Sequence, residues 1–193
     1  MAEHLYGKVQ ALLDKLQRLL LEQAQTQLPN ATSILDIGCY QGRFLAHVAL
    51  LYPKAKLTGI DISEKRIQRA HRGATAQLRF QVVSVEQTSF DDESFDLIFA
   101  CRTMHHWGNK QQGLREVARL LTSDGLFLLG DPFIEGPLRH NWFNWLMEKL
   151  DGGRFTHPKD LKHMLSEAGL QVIEKTAVPY SGKMLSVCVI TKM

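Results

Sequence analysis

Cysteine is scarce in these 193 residues, and the three present (Cys39, Cys101 and Cys188) are odd in number and far apart. That spacing excludes a disulfide framework and offers no paired ligands for zinc. A reducing, intracellular compartment fits such a chain best. No apolar run approaches the roughly 20 residues that a membrane helix requires, and no signal-peptide pattern opens the chain. The expectation is therefore a soluble, cytoplasmic protein with no membrane partner. Charge of one sign is also in short supply. The net charge is +3, from 23 Lys and Arg against 20 Asp and Glu with His neutral, and the basic residues read as scattered. Both features argue against nucleic acid as a partner. His140, His157 and His163 lack metal-ligand spacing, so no metal is expected. What remains is ordinary for a globular chain: 45% hydrophobic and 22% charged residues, in a length that suits one domain with its own core.

The stretch ILDIGCYQGRF, residues 34–44, organises the rest. An apolar strand containing Asp36 runs into Gly38, and after a short turn Phe44, Leu45, Val48 and Leu51 take up helical spacing. A second strand from Lys56 to Ile60 ends in Asp61. Strand, glycine turn, helix and strand form the opening unit of a doubly wound α/β fold, in which ligands bind beyond the carboxyl ends of the strands. A glycine turn admits a ligand close to the backbone, and an acid at the next strand end can accept from two ribose hydroxyls. A nucleoside-containing cofactor is the chemistry these residues suit. Tyr40 sits in the middle of the turn and calls for a negative φ, with its ring directed away from the ligand.

Before this unit, Leu5, Val9, Leu12, Leu16 and Leu19 recur at steps of four and three, so residues 3–27 read as an amphipathic helix ended by Pro29-Asn30. It packs on the sheet or caps the ligand site as a lid. After the unit, Ser63 is placed to N-cap a short helix. Strands are expected at residues 78–83 and 95–100, the latter continuous enough in apolar residues to be buried on both faces. Leu114, Val117, Ala118 and Leu121 mark a helix, and Ser123-Asp124-Gly125 a turn before a fifth strand at residues 126–129. Residues 133–150 read as an aromatic-rich helical stretch. A helix follows from His157-Pro158 to Ala168-Gly169, and then strands at 171–178 and 184–191. The five residues between those last strands are too few for a parallel crossover, so the pair is an antiparallel hairpin closing a parallel sheet.

With these motifs in place, the chain resembles the class I S-adenosylmethionine-dependent methyltransferases, in particular methyltransferase type 11. LDIGCYQGRF, TGIDIS, SFDLIFACRTMHHW and LREVARLLTSDGLFLLGDPF stand in that family's order and spacing. The resemblance implies a Rossmann-like, doubly wound, seven-stranded sheet, mostly parallel with a C-terminal antiparallel hairpin strand and helices on both faces. It also implies one domain over 1–193. Residues 1–29 would form the N-terminal helix, 30–130 the cofactor-binding core, 131–170 the substrate-side helices and 171–193 the terminal hairpin. S-adenosyl-L-methionine would be the cofactor and S-adenosylhomocysteine the product. Carried over position by position, Asp36 and the turn residues Gly38, Cys39 and Gly42 would hold the methionyl end, which Ala100 would approach through its backbone. Asp61 would take the ribose hydroxyls and Ile62 flank the adenine. Ser84 stands where the family usually has an acid for the adenine amino group, with Val85 offering its N–H and Glu86 placed to compensate.

Methyl transfer from a sulfonium is a one-step displacement that needs positioning and exclusion of water more than a strong catalytic constellation. His105 and Asp131, at the ends of the fourth and fifth strands, are the candidates for a base or a substrate bond. Arg102, His106, Trp142 and Trp145 are the candidates for the acceptor's walls. Arg102 would meet an anionic group through its planar fork or would make a surface ion pair, and the two tryptophans would line an apolar pocket or join the core. The residues after the fourth strand lack the Asn/Asp-Pro-Pro-aromatic signature of methyltransferases acting on amino groups of DNA bases. A small-molecule acceptor, and a monomer or homodimer, is the expectation. A nicotinamide-dependent oxidoreductase fits poorly, because Tyr40 and Arg43 occupy the second and third glycine positions of its fingerprint. A cofactor-binding scaffold without catalysis is the other alternative.

Overall fold

The computed structural model describes residues 2–133, 149, 152–178 and 185–193, with side chains from residue 11 onward. Helix α1 (Ala2–Gln27) buries Leu16, Leu20 and Ala24, one stripe at steps of four. A glycine makes room for it. A Cβ at Gly130 would stand 3.0 Å from the ends of both Leu16 and Leu20, so the helix lies closer to the sheet than any larger residue there would allow.

Strand β1 (Ser33–Ile37), helix α2 (Arg43–Leu51), strand β2 (Lys56–Asp61), helix α3 (Glu64–Ala70) and strand β3 (Leu78–Val82) follow in the expected alternation. Then come β4 (Phe95–Cys101), α4 (Lys110–Leu120), β5 (Leu121–Pro132), α5 (Pro158–Glu167), β6 (Leu170–Ala177) and β7 (Leu185–Lys192). The seven strands form one sheet in the order β3-β2-β1-β4-β5-β7-β6, parallel except for β7. The terminal pair is antiparallel as expected, and its second strand, not its first, lies against β5. That order lets β7 bury five consecutive residues while β6 takes the edge with one.

Two local expectations change. The turn at Ser123-Asp124-Gly125 does not precede β5 but interrupts it, because α4 ends at Leu120 and the chain is extended from Leu121 onward. Pairing with β4 jumps from Phe95↔Leu121 to Leu97↔Leu126, and residues 122–125 bulge from the ladder. Ser63 does occupy the N-cap of α3, yet its hydroxyl makes no capping bond; its N–H donates to Asp61 Oδ1 at 2.8 Å instead. The aromatic-rich stretch at 133–150 lies outside the described residues apart from Phe133 and Lys149.

Each sheet face carries its own core. Leu16, Leu20, Leu45, Val48, Ile67 and Phe99 pack on the face of α1, α2 and α3, and Ile98, Leu114, Val117, Phe127 and Leu165 on the face of α4 and α5. With β2 on one side of β1 and β4 on the other, the loops leaving β1 and β4 diverge to opposite faces. A crevice opens between them at the carboxyl ends of the strands, where such folds bind ligands. Among the described residues no helix is long and apolar enough to cross a membrane.

Candidate functional site

A cavity of about 1030 Å³ fills that crevice, bounded by the ends of β1, β2 and β4, the loops after β3 and β4, and Leu13 and Gln17 of α1. Its size is at the upper end for small-molecule sites. The helix that packs Leu16 and Leu20 on the sheet also borders the cavity, through Leu13 and Gln17 of the same turns.

The glycine turn is built on backbone bonds to β2. Gly38 N–H and Cys39 N–H both donate to Ile60 O, at 2.8 and 3.0 Å. Gly38 has φ 74°, and a Cβ there would lie 2.2 Å from Thr103 Oγ1, so the position requires glycine twice over. Gly42 caps α2 with φ 78° and faces the Phe80 ring, where a Cβ would fall 2.6 Å away; it supports the turn and does not line the cavity. Tyr40 corrects the expectation of a negative φ. It stands at φ 54°, in the left-handed region, with its ring half exposed and the Arg66 guanidinium 4.7 Å above it. Its N–H donates to Asp61 Oδ2 at 3.1 Å. That bond and the cation–π contact offset a strain of about 1 kcal/mol.

Asp61 is buried, accepts from Tyr40 and Ser63 N–H, and has Arg66 Nη1 3.6 Å away. A carboxylate offers about four lone-pair sites, so it retains capacity for ligand hydroxyls. Asp36, also buried, has its carboxyl pushed up to about 8, first by desolvation and then by the charge of Asp61. Burial and Asp36 likewise raise the thiols of Cys39 and Cys101 well above their ordinary value, which removes both as thiolate nucleophiles.

The loop after β3 carries a linked pair. Ser84 Oγ donates to Glu86 Oε2, and Glu86 Oε1 accepts from the N–H groups of Gly108 and Asn109 at 2.8 and 3.2 Å. Burial acts to raise the Glu86 carboxyl, but the bonds from Ser84 and from the backbone at 108 and 109 outweigh it and hold it below the usual range. Ser84, Val85 and Glu86 all line the cavity, as do Asp36, Gly38, Cys39, Asp61, Ile62, Arg102 and His106. Ala100 is fully buried beneath the wall and lines no part of it.

His105 and Asp131 meet each other and not the cavity. His105 Nδ1 lies 2.8 Å from Asp131 Oδ1, and its backbone N–H donates to Oδ2 at 3.1 Å, with both side chains inaccessible. The ring is closed in by Phe155 and by Gly153, where a Cβ would fall 2.4 Å from His105 Cδ2. His106, its ring 4.1 Å from that of His105 between centroids and tilted 46° to it, is the imidazole that lines the cavity. Arg102 lines it too, with φ 54° and its N–H bonded to Gly130 O at 2.7 Å. Trp142 and Trp145 lie outside the described residues. Among the described residues no cluster of His, Cys, Asp and Glu could hold a metal ion.

A family model described as a methyltransferase domain matches residues 28–169. The chain belongs to the class I S-adenosylmethionine-dependent methyltransferases. Among curated relatives of this family it is 29% identical over 125 residues to a malonyl-acyl-carrier-protein O-methyltransferase from Legionella pneumophila, covering 64% of this chain and 44% of that protein. It is 30% identical over 126 residues to 27-O-demethylrifamycin SV methyltransferase from Amycolatopsis mediterranei, covering 58% and 46%. The chain thus spans about half the length of the curated relatives it matches. Its fold superposes on the crystal structure of YcgJ from Bacillus subtilis with a TM-score of 0.74 at 21% identity, covering 92% of this chain and 98% of that one.

The methyltransferase site contains two residues for which sequence spacing gave no sign. Thr103 fills the space over Gly38. Trp107 packs the benzo edge of its indole on Gly113, where a Cβ would fall 2.6 Å from Cε3. Its Nε1–H is buried without a partner among the described residues, leaving a donor for a bound ligand. The Thr103 contact depends on a glycine 65 residues away, which no local pattern reports, and the Trp107 contact on one six residues ahead. The acids at the ends of β1 and β2, the buried indole donor and the cavity volume fit an adenosyl cofactor carrying a sulfonium.

Proposed function

We propose that the protein transfers the methyl group of S-adenosylmethionine to a small-molecule acceptor. The observation that carries the reading is the cavity at the switch point of the sheet, which Asp36, Asp61, the Ser84–Glu86 pair and His106 all line. The cofactor supplies an electrophilic methyl group on a cationic sulfur; the chain positions it. Asp61 receives the ribose hydroxyls, and Asp36 with the turn at Gly38 and Cys39 holds the methionyl end. Ile62 and Val85 enclose the adenine, and Ser84 accepts from its amino group, its own proton being committed to Glu86. Glu86 is occupied by the backbone at 108 and 109, so it acts through Ser84 and ties that loop to the one bearing His106.

The acceptor side lies at Arg102 and His106. His106 faces the cavity and is the group that takes a proton from an O–H or N–H acceptor, while the buried His105–Asp131 pair holds the loop beneath it. The rifamycin named for one relative and the dimensions of the cavity support a small acceptor.

Isothermal titration with S-adenosylmethionine and S-adenosylhomocysteine tests the cofactor assignment. Micromolar binding is expected, weakened at least about tenfold by Asp61→Ala (about 1.4 kcal/mol) and several-fold by Ser84→Ala. A folded protein that binds neither form would remove the assignment. Once a screen for release of the demethylated cofactor finds an acceptor, His106→Ala should lower kcat by roughly 10²-fold and abolish the lower limb of the pH–rate profile, with cofactor affinity unchanged. An unaltered profile would take His106 out of the chemistry.

A further inference from the structure

The loop after β3 is fastened along one stripe of α4. Glu86 Oε1 accepts from the N–H groups of Gly108 and Asn109, the second of which is the N-cap of the helix. Val85 packs where Gly113 leaves room, since a Cβ there would stand 3.3 Å from Val85 Cγ1. Thr88 donates to Glu116 Oε1 twice, from its hydroxyl at 2.6 Å and its backbone N–H at 3.2 Å. Glu93, held at φ 52°, donates its N–H to Arg119 O at 2.9 Å, a carbonyl that the helix end leaves without an intrahelical partner. Positions 109, 113, 116 and 119 advance by four, three and three, which keeps them on one face of a helix.

Glu116 is the centre of this seam. It is buried, and Arg119 grips it with two bonds, Nε to Oε2 at 2.9 Å and Nη2 to Oε1 at 2.7 Å. Arg119 Nη1 also donates to Asp92 of the loop. Those bonds from Arg119 hold the Glu116 carboxyl below the usual range despite its burial, so it accepts as a carboxylate at neutral pH. Neither Glu116 nor Arg119 lines the cavity, whereas Ser84, Val85 and Glu86 do. One turn separates the two sets. Gln87 N–H donates back to Ser84 O at 3.2 Å, and Thr88 follows directly. A displacement of Thr88 is thereby passed to Ser84.

We propose that Glu116, gripped by Arg119, is a positioning residue for the cofactor: through Thr88 it fixes where Ser84 and Val85 meet the adenine. This rests on the assignment of S-adenosylmethionine to the cavity. The opposing explanation is that the seam only stabilises the fold. Apolar packing would stabilise as well as a buried ion pair does. What the charged bonds add is direction, and two of them are aimed at the loop residue four positions after Ser84. A site holds its geometry when the residues lining it are supported by such bonds from behind.

Isothermal titration with S-adenosylhomocysteine and with 5′-methylthioadenosine, which has the same adenosine without the amino-acid end, distinguishes these cases. Glu116→Gln keeps the shape and removes the charge; Thr88→Val removes the hydroxyl bond from the loop side. Each is expected to weaken both ligands by a similar factor, about five- to tenfold, at a temperature where circular dichroism shows the variant fully folded. The double variant should lose less than the product of the two single losses. Hydrogen exchange at the amides of residues 84–88 should quicken in ligand-free Glu116→Gln. Leu170→Ala is the control: Leu170 is buried at the start of β6, outside the cavity lining, and its loss should lower Tm while leaving both affinities unchanged. Unchanged affinity in Glu116→Gln and Thr88→Val, an equal loss of affinity in Leu170→Ala, or a loss confined to S-adenosylhomocysteine would each overturn the proposal. Wild-type protein that binds neither ligand would remove the cofactor assignment, and the proposal with it.

Discussion

Gly38→Ala is expected to lower stability by roughly 2–3 kcal/mol and cofactor affinity by more than about tenfold. Two separate costs combine. The first is backbone: φ 74° lies in the left-handed region, which costs a residue with a Cβ about 1 kcal/mol. The second is steric, since the new methyl would stand 2.2 Å from Thr103 Oγ1 and 2.6 Å from its Cβ. Thr103 is not free to yield, because the next residue toward the sheet, Arg102, is anchored to Gly130 O and His106 N–H bonds back to Thr103 O. The double variant Gly38→Ala, Thr103→Gly should therefore recover the steric part and keep the backbone part. That predicts a coupling of about 1–2 kcal/mol in a urea-denaturation cycle. A single variant within about 0.5 kcal/mol of the parent would mean that the turn is not held as the structure has it. Tyr40 shows why the second cost matters: it stands at φ 54° too, but its side chain points to solvent and Arg66, so it bears the strain alone.

The fold was legible because its signals are local. Apolar runs of four to six residues, all but the third followed by helical spacing, gave the order of β1 to β5, and the short connection before the last strand required an antiparallel partner. The cofactor wall was legible for the same reason, since Asp36, Gly38 and Asp61 sit at strand ends that local patterning locates. What could not be read were contacts closed by the fold. His105 precedes His106 by one residue, yet the 3-10 turn over Met104–His106 sends the first ring into Asp131 and Phe155 and leaves the second in the cavity. Glu86 depends on backbone groups 22 and 23 residues away.

The pH dependence of the free protein should carry the signature of Asp36. Its carboxyl is held near 8 in the fold, mainly by burial, against an ordinary value of 3.8. Between those values the native state holds a proton that the unfolded chain has lost, so unfolding releases one. Stability then falls as pH rises through this window, by up to about 1.4 kcal/mol per unit for a single group, and levels off once the native carboxyl has ionised. Urea denaturation from pH 5 to pH 8 should show wild type losing stability relative to Asp36→Asn, whose side chain cannot ionise. The same proton links to ligand binding. A sulfonium close to Asp36 favours the carboxylate, so binding releases the proton, and affinity for S-adenosylmethionine should rise by up to about tenfold per pH unit below 8. S-adenosylhomocysteine lacks the sulfonium charge and should show a shallower rise, and Asp36→Asn should flatten both. Parallel slopes for the two cofactor forms would place the titrating group away from the sulfur; a stability difference independent of pH would show that Asp36 is already ionised in the free fold.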